Sequence, residues 1–244
     1  MTTTTPDKPA SVPMKAFLFT DKLVLAQAIA LALNHGRFVS RNTAKPVEAL
    51  AWIREWNPNV IVFDLESGNL AKFVMDARAV TPAPVIGLTR ETLVGVRLEA
   101  FDEGVDDILT LPFFPEELLA RVVAVLRRAY RLSLELDPVQ ALGDLKVDIL
   151  KRTVQSAEHV IQLTALEMSL LYLLASAGRR ALTRDEIVDN LWGSNYLADS
   201  NVVDRHIRNL RVKLRNGYRN PKYIMTKRGV GYSFIGGDAA GGGR

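Results

Sequence analysis

Hydrophobic and polar residues follow different patterns in the two halves of this 244-residue chain. In the first half, continuous apolar runs predict strands buried on both faces, because such strands lack a polar, solvent-facing side. These runs are 16–19, 60–63, 85–88 and the shorter 107–109, with a weaker one at 37–41. Helical patterns separate or follow them at about 22–34, 44–56, 69–80, 91–103 and 115–130. The alternation predicts a doubly wound, flavodoxin-like α/β domain with a five-stranded parallel sheet.

The second half predicts a smaller α+β domain. Short segments at 145–150, 153–157 and 160–163 favour antiparallel strands, and the patterns after them predict three helices. These helices begin near Ala165, Thr183 and Asp199. Two of the starts have capping-box spacing, with Thr164 before Glu167 and Thr183 before Glu186. Segments 223–226 and 232–235 then predict a hairpin with a glycine-containing turn.

The patterns divide the chain into five parts. We predict a disordered N-terminus, an α/β domain, a linker, an α+β domain and a flexible tail, at residues 1–13, 14–131, 132–138, 139–236 and 237–244. The chain has no run of about 18 apolar residues, and its Thr/Pro-rich start has no apolar core. We therefore expect a cytoplasmic protein with no membrane partner.

Charge is distributed unevenly between the two halves. The net charge is +4, but residues 1–132 carry 15 basic and 15 acidic side chains, whereas residues 138–244 carry 16 and 10. Positive charge in the second half indicates a polyanionic partner there, and the neutral first half needs a different role. The chain has no cysteine, which excludes disulfides, thiolate metal sites and thiol redox sensing.

The segment 201–234 has the highest density of positive charge. Only one acid, Asp204, stands against nine basic residues, which are Arg205, Arg208, Arg211, Lys213, Arg215, Arg219, Lys222, Lys227 and Arg228. Apolar residues at helical spacing predict one buried stripe, formed by Val203, Ile207, Leu210 and Leu214. Asn and Arg on another face of this helix can bond base edges or phosphates. A basic hairpin follows, which favours a nucleic-acid surface over an ordinary solvated face.

The second half resembles the winged-helix domain of OmpR/PhoB-type response regulators. The motifs that carry this resemblance are Leu182-Thr183-Arg184-Asp185-Glu186-Ile187, Leu191-Trp192-Gly193, Val202-Val203-Asp204-Arg205-His206-Ile207-Arg208-Asn209-Leu210-Arg211 and Thr226-Lys227-Arg228-Gly229-Val230-Gly231-Tyr232. The resemblance implies that the helix at 199–215 enters the major groove of double-stranded DNA. The hairpin would reach the adjacent minor groove as the wing, and the turn at 193–198 would contact RNA polymerase.

From this resemblance and the charge pattern we predict a set of DNA-binding residues. They are Asn201, Arg205, His206, Arg208, Asn209, Arg211, Thr226, Lys227 and Arg228. Asn201 and Asn209 stand where many relatives have arginine, so we expect a different base preference. For His206, DNA contact and a structural role remain alternatives.

The first half resembles a receiver domain with two departures. The resemblance implies that Asp64 is the phospho-acceptor, that Asp21 is one of two Mg²⁺-binding acids, and that Thr89 is the hydroxyl residue after the fourth strand. Thr20 replaces the second acid, and Leu111 replaces the usual lysine. Phosphoryl transfer needs positive charge against the developing anion, which Leu111 cannot supply. We therefore predict a degenerate phosphorylation site that holds no metal or cofactor.

A surface for self-association is also implied by the receiver resemblance. Family members dimerise through cross-subunit ion pairs on the face formed by the fourth helix, fifth strand and fifth helix. The matching positions here are Arg97, Asp107, Glu117 and Arg121. We predict a homodimer, with ordinary exposed charges as the alternative.

These observations predict a dimeric DNA-binding transcription regulator that is independent of aspartyl phosphorylation and is not an enzyme. A regulator tuned by phosphorylation of Asp64, or by a ligand, remains an alternative. An enzyme is disfavoured because no glycine-rich phosphate loop follows the first strand and the three histidines suggest no catalytic set. A scaffold is a third possibility, since Trp52 and Trp56 lie one helical turn apart, although core packing also explains them.

Overall fold

The structure is a computed structural model that describes residues 13–91, 93–131, 134, 136–157, 159–193, 196 and 201–236. Nearly all of the predicted N-terminal segment 1–13 and the whole tail 237–244 lie outside the described residues. The predicted helix start at Asp199 and most of the turn at 193–198 lie outside them as well.

Five parallel strands form the sheet of the first domain, in the order β2-β1-β3-β4-β5. Their bounds are β1 Met14–Phe19, β2 Phe38–Thr43, β3 Val60–Asp64, β4 Val85–Thr89 and β5 Asp107–Thr110. In a parallel sheet all carboxyl ends lie at the same edge, and ligands bind where the strand order reverses. The ends of β1, β3 and β4 therefore bring residues 20, 64 and 89 to one edge, which confirms the predicted doubly wound architecture.

Helices cover both faces of this sheet. Their bounds are α1 Leu23–Leu33, α2 Pro46–Trp56, α3 Leu70–Arg78, α4 Val94–Asp102 and α5 Pro115–Tyr130. Successive residues of a strand point to opposite faces. In β1, accordingly, Ala16 and Leu18 pack in the core shared with α1 and α5. Phe17 and Phe19 pack in the core shared with α2 and α3.

The second domain has three helices between a four-stranded and a three-stranded antiparallel sheet. The first sheet contains β6 Val139–Leu142, β7 Leu145–Asp148, β8 Thr153–Ser156 and β9 His159–Gln162. The helices are α6 Ala165–Ser176, α7 Arg184–Leu191 and α8 Val202–Lys213. The second sheet contains β10 Leu182–Thr183, β11 Ile224–Lys227 and β12 Gly231–Phe234. This is a winged-helix arrangement, in which β6 and β10 are strands that the sequence did not predict.

Capping boxes fix the starts of two of these helices. The Thr164 side chain accepts a hydrogen bond from the Glu167 backbone N–H, and Glu167 accepts one from the Thr164 N–H in return. Thr183 and Glu186 form the same reciprocal pair at α7. Both predicted capping boxes are confirmed.

The two domains pack against each other through α1 and α6. One apolar core runs without a break from α1 and α5 into α6 and α7. Polar groups complete the contact. Ser169 Oγ donates to the Phe113 carbonyl at 2.5 Å, and the His35 and Tyr172 side chains hydrogen-bond at 2.5 Å. Within the described part of the chain, no helix is long and apolar enough to cross a membrane.

Candidate functional site

The helix α8 separates apolar and polar residues as its sequence predicts. Val202, Val203, Ile207 and Leu210 are buried against the domain core. The opposite face exposes Asn201, Arg205, Arg208 and Asn209, which line an open groove along the helix. Arg205 and Arg208 form no ion pair with any described residue, so their charges are available to an external anion.

The hairpin of β11 and β12 places two further positive charges beside this helix. Lys227 and Arg228 are both exposed at its tip. Gly229 has a φ of +72°, a conformation that favours glycine. A side chain at Gly231 would overlap the Leu182 carbonyl oxygen, so glycine is also needed where the hairpin joins β10.

Two of the predicted DNA-binding residues are engaged inside the domain. Arg211 Nη2 donates to Thr226 Oγ1 at 2.7 Å and to the Ile224 carbonyl at 3.1 Å. The Arg211 guanidinium also lies 5.4 Å from the ring centre of Tyr232. Burial lowers the pKa of this guanidinium. Arg211 and Thr226 therefore tie α8 to β11, and sequence alone did not distinguish this role from a free phosphate contact.

His206 is half-buried and packs 5.9 Å from the ring centre of Trp192. Burial lowers its pKa, and the positive charge of Arg205 lowers the pKa further. The ring is therefore predominantly uncharged at neutral pH. A neutral ring can accept or donate a hydrogen bond, but it adds no charge to the surface of α8.

Asp204, the one acid in this basic segment, is neutralised within the domain. Its Oδ1 accepts hydrogen bonds from Arg184 Nε at 2.8 Å and from the Tyr232 hydroxyl at 2.7 Å. Burial alone would raise the pKa of Asp204, but these hydrogen bonds lower it. The network joins α7, α8 and β12, so it fixes the helix relative to the hairpin, and Arg184 balances the charge of the acid.

At the carboxyl edge of the parallel sheet, Asp64 is buried and bonded through both carboxylate oxygens. Its side chain is 0% exposed. Thr20 Oγ1 donates to Oδ2 at 2.9 Å, and Arg90 Nη1 donates to Oδ1 at 3.0 Å. The Arg90 side chain is itself only 4% exposed. The Asp64 carboxylate is therefore neutralised by the guanidinium of Arg90 within the domain.

Glu66 and Lys22 extend this cluster towards its mouth. Glu66 Oε2 lies 3.2 Å from Arg90 Nη1 and 3.6 Å from Lys22 Nζ. Sequence reasoning missed both basic residues. Arg90 directly follows β4, and Lys22 lies three residues after β1. Their positions after parallel strands could have identified them in the sequence as residues of the carboxyl edge.

The other predicted pocket residues, Asp21, Thr89 and Leu111, have contacts outside the Asp64–Arg90 pair. Asp21 is exposed and accepts a hydrogen bond from Ser67 Oγ at 2.9 Å. Thr89 is buried, and its Oγ1 accepts from the Glu91 N–H at 3.0 Å. Leu111 is buried and packs in the apolar core that continues into the second domain. Among the described residues, no three His, Cys, Asp or Glu side chains cluster as a metal site.

Three of the four predicted dimer residues contact one another within a single chain. Arg121 binds Asp107 at 2.9 Å and Glu117 at 2.7 Å. Arg97 is exposed on α4. The same helix and its preceding residue expose an apolar set, formed by Leu93, Val94, Leu98 and Phe101.

The two tryptophans of α2 do not form a free patch. Trp52 and Trp56 are partly buried and pack against the core under α2 and α3. The Arg41 guanidinium lies 4.9 Å from the ring centre of Trp56 and 6.0 Å from that of Trp52. Packing within the chain thus accounts for both side chains.

Comparisons with known proteins agree with this geometry. Residues 158–234 match the family model described as "Transcriptional regulatory protein, C terminal". The chain is 33% identical over 212 residues to the DNA-binding response regulator MtrA of Mycolicibacterium smegmatis, covering 85% of this chain and 91% of MtrA. It is 36% identical over 195 residues to the probable transcriptional regulator ycf27 of Porphyridium aerugineum, covering 77% and 81%.

A solved structure also matches over most of the chain. It is the response regulator DrrB, described as a Thermotoga maritima OmpR/PhoB homolog, with 28% identity and a TM-score of 0.40. The match covers 92% of this chain and 100% of DrrB.

Proposed function

This chain belongs to the OmpR/PhoB family of response regulators, and we propose that it is a sequence-specific, DNA-binding transcription regulator that works as a homodimer without aspartyl phosphorylation. The observation that carries the proposal is a difference between the two domains in how their basic side chains are exposed and paired. The side chains of Arg205 and Arg208 on α8 and of Lys227 and Arg228 in the hairpin are exposed. Arg90, the basic residue beside Asp64, is instead buried and already paired.

DNA binding is supported by the form and charge of the second domain. A single α-helix fits the major groove, where Asn and Arg side chains read base edges. In α8, Arg208 and Asn209 offer these groups, and Arg205 offers a phosphate contact. Lys227 and Arg228 extend the surface to a neighbouring groove. The relative MtrA carries DNA binding in its name, which agrees with this assignment.

Phosphorylation independence is supported by the contacts of Asp64. An acceptor aspartate must present a free carboxylate oxygen to the phosphoryl group, with a metal ion or cation to balance the developing charge. Here both oxygens accept hydrogen bonds, and one of the donors is the cation Arg90. Phosphorylation would require a buried ion pair to be broken, which is costly.

Dimerisation is supported by the exposed side of α4. Exposed apolar side chains in one patch mark interaction surfaces. Leu98 is 57% exposed and Val94 is 67% exposed, with Arg97 between them. In the proposed dimer, Arg97 pairs with a carboxylate of the partner, and Arg121 exchanges part of its contact with Asp107 across the interface.

The remaining assignments follow from family membership. We propose that the first domain, 14–131, provides dimerisation and the second, 139–236, provides DNA binding, joined by the linker at 132–138. We also propose that RNA polymerase contacts the turn at 193–198.

Selection of bound DNA from a random pool tests the function directly. We expect enrichment of two half-sites as direct repeats with centres about 10 base pairs apart, one turn of the duplex. Failure to enrich any sequence would contradict sequence-specific binding. The selected site then serves for titrations with and without acetyl phosphate.

Acetyl phosphate should leave the DNA affinity and the intact mass of the protein unchanged. Asp64→Asn is the matched variant, because it keeps the shape of the side chain and cannot form an acyl phosphate. If acetyl phosphate raises the affinity of the parent protein but not of Asp64→Asn, the alternative of a phosphorylation-controlled regulator replaces the present proposal.

A further inference from the structure

The mouth of the Asp64 cluster faces the winged-helix domain. Lys22 and Arg90 both lie at the carboxyl edge of the parallel sheet, one after β1 and the other after β4. The last turn of α7 and the residues after it lie directly over them. The contacts at this place join a pocket of the first domain to a helix of the second.

Lys22 makes a polar contact between the two domains at this point. Its Nζ lies 2.8 Å from Asp189 Oδ1 and 3.4 Å from the Asp189 carbonyl oxygen. The Lys22 side chain is 12% exposed. A cation is favoured near the last turn of a helix, where carbonyl groups lack helical partners. Both the Asp189 carboxylate and the carbonyl groups at the end of α7 therefore favour an ammonium group at this position.

Gly193 makes the second contact, with the stem of Arg90. A side chain at Gly193 would overlap Arg90 Cδ. The φ of Gly193 is +94°, which favours glycine as well. The backbone at Gly193 thus closely approaches the side chain of the buried arginine that neutralises Asp64.

Together these contacts form a continuous series of opposite charges. It runs from Asp64 to Arg90, on to Glu66, then to Lys22 and finally to Asp189 in the second domain. The first four residues belong to the pocket where the family resemblance places phosphorylation chemistry. Leu111, at the position of the usual lysine, packs in the apolar core between the domains.

We propose that these five residues, Asp64, Arg90, Glu66, Lys22 and Asp189, are an interdomain clamp that holds the winged-helix domain closed against the receiver domain. The pocket around Asp64 then controls domain separation through internal ion pairs. The clamp leaves Arg208 and Arg228 exposed, so closure does not cover the basic surface. This proposal depends neither on DNA binding nor on phosphorylation, and it is measured on the protein alone.

Thiol accessibility measures domain separation without interference, because the full chain contains no cysteine. Ala28 is buried and lines a small cavity between the domains, together with Leu173 and Leu191 of the second domain. In an Ala28→Cys protein, the rate of reaction with an aromatic disulfide reagent reports the fraction of molecules that open. Ala77→Cys, buried in the core on the other side of the sheet, reports unfolding of the receiver domain instead.

Breaking the clamp should raise the labelling rate at position 28. In the Ala28→Cys background, Lys22→Met retains the apolar stem and loses the charge, and we expect labelling about fivefold faster. Asp189→Asn should have a similar effect. The increase in the double variant should fall short of the product of the two single increases, because each change removes the same Lys22–Asp189 ion pair. Lys72→Met is the matched control, because Lys72 pairs with Asp76 inside α3.

Three results would overturn the clamp. One is an unchanged rate at position 28 in both single variants, which would assign closure to the apolar contact of α1 with α6 alone. Another is an equal increase at position 77, which would show unfolding of the receiver domain in place of domain separation. Effects of Lys22→Met and Asp189→Asn that multiply in the double variant would show that the two residues act independently.

Discussion

Replacing Arg90 by methionine tests whether the buried guanidinium is needed to hold Asp64 in the folded protein. Methionine preserves most of the length of the side chain and removes its charge. Asp64, which is 0% exposed, then keeps the hydrogen bond from Thr20 but loses its cation. The variant therefore leaves a carboxylate buried with incomplete compensation.

The contacts set the size of the expected loss. Removing one partner of a buried ion pair costs about 3–5 kcal/mol. Arg90 Nε and Nη2 are buried without a hydrogen-bond partner among the described residues, so methionine also removes an unfavourable burial. We therefore expect Arg90→Met to lower the free energy of unfolding at pH 7 by about 3 kcal/mol, near the lower end of that range.

Urea unfolding followed by tryptophan fluorescence measures this change, with Trp52 and Trp56 as reporters in the receiver domain. Adding Asp64→Asn to Arg90→Met should recover at least half of the lost stability, because the amide no longer places a charge in the core. Recovery in the double variant separates loss of the ion pair from simple loss of packing.

Arg121→Met is the matched control for loss of an arginine ion pair. Arg121 is 34% exposed, so we expect a loss of ~0–1 kcal/mol there. A loss below about 1 kcal/mol for Arg90→Met would refute the reasoning, since the buried pair would then behave like an exposed one. Absence of recovery on adding Asp64→Asn would refute it equally.

Three further predictions concern the DNA surface, the dimer and pH. Arg208→Ala and Arg228→Ala should each weaken DNA binding and reduce the slope of log affinity against log salt by about 0.9 per lost phosphate contact, whereas the exposed Arg54→Ala on α2 should change neither in the same titration. Arg97→Glu should shift the protein towards monomer in sedimentation velocity, and an unchanged distribution would contradict dimerisation through α4. Burial lowers the pKa of His35, so the unfolded state binds more protons below about pH 6.5 and stability should fall as the pH falls through that value. His35→Gln should flatten this part of the stability profile in urea titrations, and a slope that persists unchanged would assign it to other groups.

Most of the helices and strands could be predicted from the chain because their patterns are long. The apolar runs of β1, β3 and β4 have few alternatives to a buried strand, and the two threonine caps mark helix starts locally. The strands β6 and β10 were missed for the opposite reason. β10 has two residues, and β6 exposes Val139, so only their pairing with β7 and β12 makes them strands.

The candidate surfaces were predictable to different degrees. The exposed positions of α8 follow from its helical period, so Arg205 and Arg208 could be assigned to the polar face from sequence. Arg211 lies close to the same face, but its contact with Thr226 depends on where β11 lies. Its engagement could not be predicted, because the pairing joins residues from two elements that meet only in the folded domain.

The sequence by itself determined the pattern of the α/β half and the α+β half, the basic helix and hairpin, and the presence of Thr20 and Leu111 where the receiver resemblance implies an acid and a lysine. These features are local, since periodicity, spacing and residue type express them directly. Only the tertiary structure decided that Arg90 neutralises Asp64 and that Lys22 reaches Asp189. The reason is that an ion pair depends on distance and burial, and chain folding brings together side chains that are 26 residues apart in one pair and 167 apart in the other.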